Sequence, residues 1–143
     1  MTASLSLPRR REESLKQPGA SDRPRILVVN DDDDSLFLLD RSVRRALPEA
    51  DVVLMHSAVA ALRYFEEHRV AAVVTDNRMP EMDGLTLVRR IREYDATVPI
   101  LMVTGSLEVP AAAIEAGASA CVSRLCWNSV GTELRNLLPV QWK

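Results

Sequence analysis

The stretch Val73-Val74-Thr75-Asp76 ends an apolar run in a single carboxylate. Asn77-Arg78-Met79-Pro80-Glu81-Met82-Asp83-Gly84 follows as a proline-containing turn whose Asp-Gly opens a helical pattern. That spacing puts Asp76 at the carboxyl edge of a strand, where open α/β sheets hold their ligands. A carboxylate there can serve as a nucleophile, as a ligand for a hard cation, or as both. Other apolar runs end in the same fashion: 26–29 passes into Asn30 and Asp31, 100–103 into Thr104, and 120–123 into Arg124. Packing alone does not call for a polar residue after each of them. Asp31 and Asp76 supply oxygen ligands suited to Mg²⁺, with the backbone carbonyl of Arg78 as a further ligand. Asp76 is then the nucleophile toward a phosphoryl donor, Thr104 donates its hydroxyl to the acyl phosphate, and Arg124 pairs with another phosphate oxygen.

These residues converge only if the strands lie side by side. Residues 25–30, 51–56, 70–75, 99–104 and 120–123 read as short, largely apolar strands, the pattern of a sheet covered on both faces. Between them, helical spacing appears in Leu36, Leu39, Val43 and Leu47, with Asp34 and Ser35 as cap oxygens and Pro48 as the stop. Ala58, Ala61, Leu62 and Phe65 mark a second helix. A third starts near Gly84 with Asp83 as its cap, turning Leu85, Val88 and Ile91 inward and Arg89, Arg90, Arg92 and Glu93 toward solvent. Pro110 suits the first turn of a short fourth helix and Gly117 its stop. Val130, Leu134, Leu137 and Leu138 form the buried stripe of the last, which Pro139 closes. Strand–helix alternation with short connections predicts an α/β fold: a doubly wound, five-stranded parallel sheet.

At 143 residues, 47% hydrophobic and 27% charged, the chain has the composition of one globular domain. A formal net charge of −2 leaves no basic excess for general nucleic-acid binding. No apolar run approaches the ~20 residues of a membrane span, and no secretory signal opens the sequence. Cys121 and Cys126 make neither a disulfide framework nor a zinc site, so both are expected as reduced thiols in the cytoplasm. Residues 1–24, with Pro8, Pro18, Gly19, Pro24 and the cluster Arg9-Arg10-Arg11, are expected to form a mobile leader. The domain is expected at 25–139, with 140–143 as a short tail. Lysine occurs only at Lys16 and Lys143, and arginine fills every other basic position.

Taken in order, Ile26-Leu27-Val28-Val29-Asn30-Asp31-Asp32, Thr75 to Gly84, Pro99-Ile100-Leu101-Met102-Val103-Thr104 and Glu115-Ala116-Gly117-Ala118 resemble the receiver domain of two-component response regulators. The resemblance implies a flavodoxin-like (βα)5 fold and Mg²⁺-dependent transfer of phosphate from a histidine kinase, or a phosphotransfer protein, onto Asp76. It also implies a downstream protein target and a homodimer through the face of helix four, strand five and helix five. Neither nucleic acid nor membrane is an expected direct partner. No output domain is recognised in the sequence, so output is expected through protein contacts.

The chain departs from the family pattern at several positions. Asn30 replaces the first of the usual paired acids, leaving Asp31 as the direct ligand and Asn30 to act through a metal-bound water. Arg124 stands where the family has lysine, Leu125 where it has proline, and Cys121 where it has an aromatic switch residue. A phosphorylation-independent interaction module is therefore the alternative reading. A phosphatase using an aspartate nucleophile would want a second aspartate where Arg78 stands.

Overall fold

A computed structural model describes residues 23–105 and 109–139. Of the expected leader only Arg23 and Pro24 fall within it, and residues 106–108 and the expected tail lie outside. The chain runs β1 (Arg25–Val29), α1 (Asp33–Ala46), β2 (Asp51–Met55), α2 (Ala58–Glu67), β3 (Ala72–Thr75), α3 (Gly84–Tyr94), β4 (Ile100–Thr104), α4 (Val109–Ala116), β5 (Ala120–Ser123), a 3-10 helix (Arg124–Ser129) and α5 (Val130–Leu137). The strands form one parallel sheet in the order β2-β1-β3-β4-β5. The order turns back at β1, so a crevice opens between the carboxyl ends of β1 and β3. Among the described residues no helix is long and apolar enough to cross a membrane.

Alternation along the strands divides the core into two layers, because successive side chains point to opposite faces. Leu27, Val29, Val73, Ile100 and Met102 pack with Phe65 of α2 and with Leu87, Val88 and Ile91 of α3. Ile26, Val28, Val74, Leu101 and Val103 pack on the other side with Leu36, Leu39 and Val43 of α1 and Val130 and Leu134 of α5. Each fully buried side chain of this kind contributes about 1.5–3 kcal/mol. Both layers are needed, since a parallel sheet with one bare face would leave half of these residues in water.

Several expectations change at the element ends. Helix α1 is capped by Asp32, whose carboxylate accepts the Ser35 N–H at 2.8 Å, rather than by Asp34 or Ser35. Leu87, not Leu85, is the fully buried residue of α3's first turns, and Leu85 is partly buried. Arg92 does not belong to a solvated face: its Nε donates to the Gly117 carbonyl at 2.8 Å and its Nη1 to Asp95 O at 3.2 Å. Burial lowers its pKa. The guanidinium thus ties α3 to the turn after α4, where Gly117 has φ 121°. Leu137 is only partly buried, and the 3-10 helix before α5 left no apolar period to read. Pro24 is buried, its carbonyl accepting the Asp51 N–H at 2.8 Å, and Arg23 pairs with Asp51 at 3.3 Å. The packed body therefore begins before residue 25.

Helices α1 and α5 touch through backbone. The Gly131 N–H donates to Ser42 Oγ at 2.9 Å, and a Cβ on Gly131 would fall 2.1 Å from the Ser42 carbonyl oxygen. Because that oxygen is main chain, the helices would have to separate to admit a methyl group. Gly131→Ala is expected to destabilise the fold by about 1–3 kcal/mol, read as a lower urea midpoint at unchanged slope.

Candidate functional site

Asp76, the first residue after β3, is only 4% exposed. Its N–H donates to Val29 O at 3.1 Å, extending the β1–β3 pairing by one step. Its carbonyl oxygen accepts the Thr75 hydroxyl at 2.8 Å. A Cβ on Gly84 would come within 2.1 Å of that same carbonyl, so only glycine lets α3 start against the loop after β3. Asn77 closes the loop: its carbonyl accepts the Gly84 N–H at 2.8 Å and its side-chain oxygen the Leu85 N–H at 3.1 Å. Asp83 caps α3 through the Thr86 N–H at 2.8 Å, as the sequence predicts. Between them Glu81 adopts φ 70°, a region that side-chain-bearing residues seldom occupy.

Burial pushes the Asp76 carboxyl above the usual aspartate range, and the charge of Asp31 adds to the rise. The Asn77 N–H, 2.8 Å from Oδ1, and the Arg124 guanidinium act against it. Arg124 opens the 3-10 helix after β5, and its Nη2 donates to both Asp76 carboxylate oxygens at 3.3 Å. Its own side chain stays 51% exposed. Beside this pair lies an open pocket of about 300 Å³ lined by Arg78, Thr104, Gly105 and Arg124. Thr104, the last residue of β4, is buried at this edge.

The expected residues thus gather at one sheet edge, with differences in detail. Asp31 is exposed, close enough for its charge to act on Asp76. Asn30 is buried, and its side-chain oxygen is taken up locally by the Asp32 N–H at 2.9 Å. That bond organises the turn after β1. Asp32, committed as a helix cap, has its pKa lowered by the Ser35 N–H first. Among the described residues no cis peptide bond occurs, and Leu125 is 91% exposed. Cys121 is half-buried against the layer containing α2 and α3, and burial raises its thiol pKa. Sequence reasoning missed Thr75, Asn77 and the close approach at Gly84. The Asp83-Gly84 pair reads equally as a plain helix start, so nothing in it announced the contact with Asp76.

The donor set fits Mg²⁺ in kind. The buried Asp76 and the exposed Asp31 carboxylates repel one another, which a divalent cation relieves, and Mg²⁺ uses one or two carboxylates with retained waters.

A raised native pKa means that the folded state holds the Asp76 proton more readily than the unfolded chain. Its stabilising effect is complete below the ordinary carboxylate range and is lost as pH rises through the raised pKa. Asp76→Asn is therefore expected to unfold at higher urea than the parent chain at neutral pH. The gap should close in acid below the ordinary carboxylate range, and an equal or lower midpoint at neutral pH would contradict the assignment.

Comparison with known proteins agrees with this geometry. Transcriptional regulatory protein PrrA of Mycobacterium tuberculosis is 38% identical over 97 residues, covering 66% of this chain and 41% of PrrA. Response regulator protein TodT of Pseudomonas putida is 32% identical over 100 residues, 68% of this chain and 44% of TodT. The chain thus spans about two fifths of the length of these two relatives. Among solved structures, the chemotaxis response regulator CheY4 of Vibrio cholerae superposes with TM-score 0.72 at 21% identity, covering 81% of this chain and 99% of that one. A CheY-like receiver domain protein of Methanospirillum hungatei gives TM-score 0.67 at 24% identity, covering 81% and 97%. Both show the same fold. The model of the response regulator receiver domain matches residues 26–128, and with the sheet order and the acid, hydroxyl and cation at its edge, the chain belongs to that family, the receiver domains of two-component response regulators.

Proposed function

We propose that Asp76 is the phosphoacceptor of this receiver domain. The observation that carries the reading is the buried Asp76 carboxylate, held by Arg124 on both oxygens beside a pocket that reaches Thr104. In the transfer, the N–P bond of a donor phosphohistidine breaks as an Asp76 oxygen forms its bond to phosphorus. The imidazole nitrogen leaves and is reprotonated from solvent. Asn77 orients the carboxylate through its N–H, Thr104 offers its hydroxyl to a phosphoryl oxygen, and Arg124 follows the charge from carboxylate to phosphoryl group.

Receiver domains generally bind Mg²⁺ at the phosphorylation site. Here Asp31, Asp76 and the Arg78 carbonyl would hold it, with Asn30 reaching it weakly through a metal-bound water. When bound, the ion supplies charge neutralisation for the phosphoryl oxygens.

Receiver domains interact with histidine kinases or phosphotransfer proteins. For this chain the donor is of that kind, acting in the cytoplasm. The phosphorylated state is read by a downstream protein or by a second copy docked on α4, β5 and α5. A net charge of −2 favours protein over nucleic acid as the direct contact. A phosphorylation-independent module would have no need of a buried acid, a hydroxyl and a cation at one strand edge.

With Mg²⁺ and a small acyl-phosphate donor, the intact chain is expected to gain the mass of one phosphoryl group, and Asp76→Asn to gain none. Arg124→Met should slow labelling by about a hundredfold. No adduct at any donor concentration, or an adduct that survives Asp76→Asn, overturns the proposal.

A further inference from the structure

We infer that Trp142 seats in a pocket at the amino edge of the sheet, at the opposite end of the strands from Asp76, and so fixes the direction in which the chain leaves α5. The inference is independent of the reading of Asp76 as phosphoacceptor.

Three segments meet at that edge. Pro24 leads into β1, residues 47–50 join α1 to β2, and Arg135 lies in the last turn of α5. Between them is an open pocket of about 390 Å³. Buried Pro24 and Leu47 give it an apolar base, and exposed Pro48, Arg45, Arg135 and Glu49 form its rim. Main-chain bonds hold the base in place: the Asp51 N–H donates to Pro24 O at 2.8 Å and the Ala50 N–H to Leu47 O at 3.0 Å. Arg23 fixes the turn as well, its Nε donating to the Glu49 carbonyl at 3.0 Å.

The charges on the rim are not spent on each other. Among the described residues the guanidinium groups of Arg45 and Arg135 and the carboxylate of Glu49 enter no ion pair. Other basic residues of α1 are engaged: Arg44 holds Asp40 at 2.6 Å, and Arg41 lies over the Phe37 ring at 5.7 Å.

An occupant must therefore be apolar toward the base, attractive to cations and able to donate to a carboxylate. Indole does all three, through its hydrophobic body, its π face and its N–H. An acidic segment does less well. Glu12 and Glu13 suit the arginines, but Glu49 on the same rim repels them. They also precede Arg23 by ten residues or more, and closing the longer loop costs more entropy.

Trp142, in Val140-Gln141-Trp142-Lys143, is the one aromatic residue of the sequence outside the described part. The Leu138 N–H returns to Arg135 O at 3.2 Å, so the chain leaves α5 beside the pocket. Trp142 stands three residues beyond Pro139, a reach of about 10 Å. A tryptophan left in water forgoes the burial of about 150–250 Å². Seated in the pocket, it joins the chain after α5 to the turn between α1 and β2. The exit direction is then set by the packed body and not by the backbone preferences of residues 140–143.

The test uses the full chain. In Trp127→Phe, where Trp142 is the remaining indole, acrylamide is expected to quench the fluorescence about threefold less than it quenches N-acetyltryptophanamide. Arg45→Gln combined with Arg135→Gln should raise the quenching by about twofold, and Arg89→Gln, on the outer face of α3, should leave it unchanged. In the unsubstituted chain, nuclear Overhauser contacts should join the Trp142 indole to Pro24, Leu47 and Pro48, a readout that stands even if Trp127→Phe unfolds. Trp142→Ala should shift the Nε–H resonances of Arg45 and Arg135 and leave those around Asp76 in place.

Quenching equal to that of the free amide overturns the inference, as does Trp142→Ala without a shift in the pocket. Contacts found only between labelled and unlabelled chains of a mixed sample overturn it too, since a second copy is then the occupant. Shifts of Arg45 and Arg135 on changing Glu12→Gln with Glu13→Gln, and none with Trp142→Ala, would give the pocket to residues 12 and 13 instead.

Discussion

Asp76 keeps a carboxylate where water barely reaches, and an ionised acid in that position is unfavourable unless fixed dipoles and charges replace the lost hydration. The replacements come from separate parts of the chain. The Asn77 N–H is local, at 2.8 Å from Oδ1. The Arg124 guanidinium arrives from beyond β5, 48 residues later in sequence. Bringing the second to the first requires the whole parallel sheet, with β3 and β5 flanking β4 and helices covering both faces. The fold is thus the means by which one buried, partly compensated charge is held.

Backbone contact sets how finely the acid is placed. Gly84 lets α3 begin against the Asp76 carbonyl, and Asn77 ties the loop to the helix start through its carbonyl and its side chain. Gly131 plays the corresponding part where α5 meets Ser42 of α1, on the opposite side of the sheet. Neither contact adds much buried apolar area. Each fixes a helix against its neighbour by main-chain contact, and Gly84 does so at the loop that carries Asp76, which helps a preorganised site keep its geometry.

The architecture was legible because each strand is a short, largely apolar run and every helix but α4 has a clear stripe, so β1, β3, β4 and β5 and the polar residues that end them could be read directly. Asp76, Thr104 and Arg124 came from the same rule, that ligands gather at the carboxyl ends of strands. What escaped is of two kinds. Competing caps in the acidic run 31–34 could not be ranked from sequence, since any of these side chains can accept an N–H, and the fold selects Asp32. Long-range contacts also escaped: Arg92 looks like a solvated helix residue until α4's turn is seen to accept its Nε–H. Gly84 and Gly131 fit local rules for a helix start or a helix interior, and only the packed neighbour shows why a side chain is excluded.

The central claim is that the buried acid, and not the exposed Asp31 beside it, takes the phosphoryl group. Borohydride reduces an aspartyl phosphate to homoserine, so reduction of the labelled chain followed by peptide sequencing by mass spectrometry names the residue directly. The account predicts homoserine at position 76 and aspartate at position 31. Homoserine at position 31, or at any acid of the 31–34 run, would contradict it.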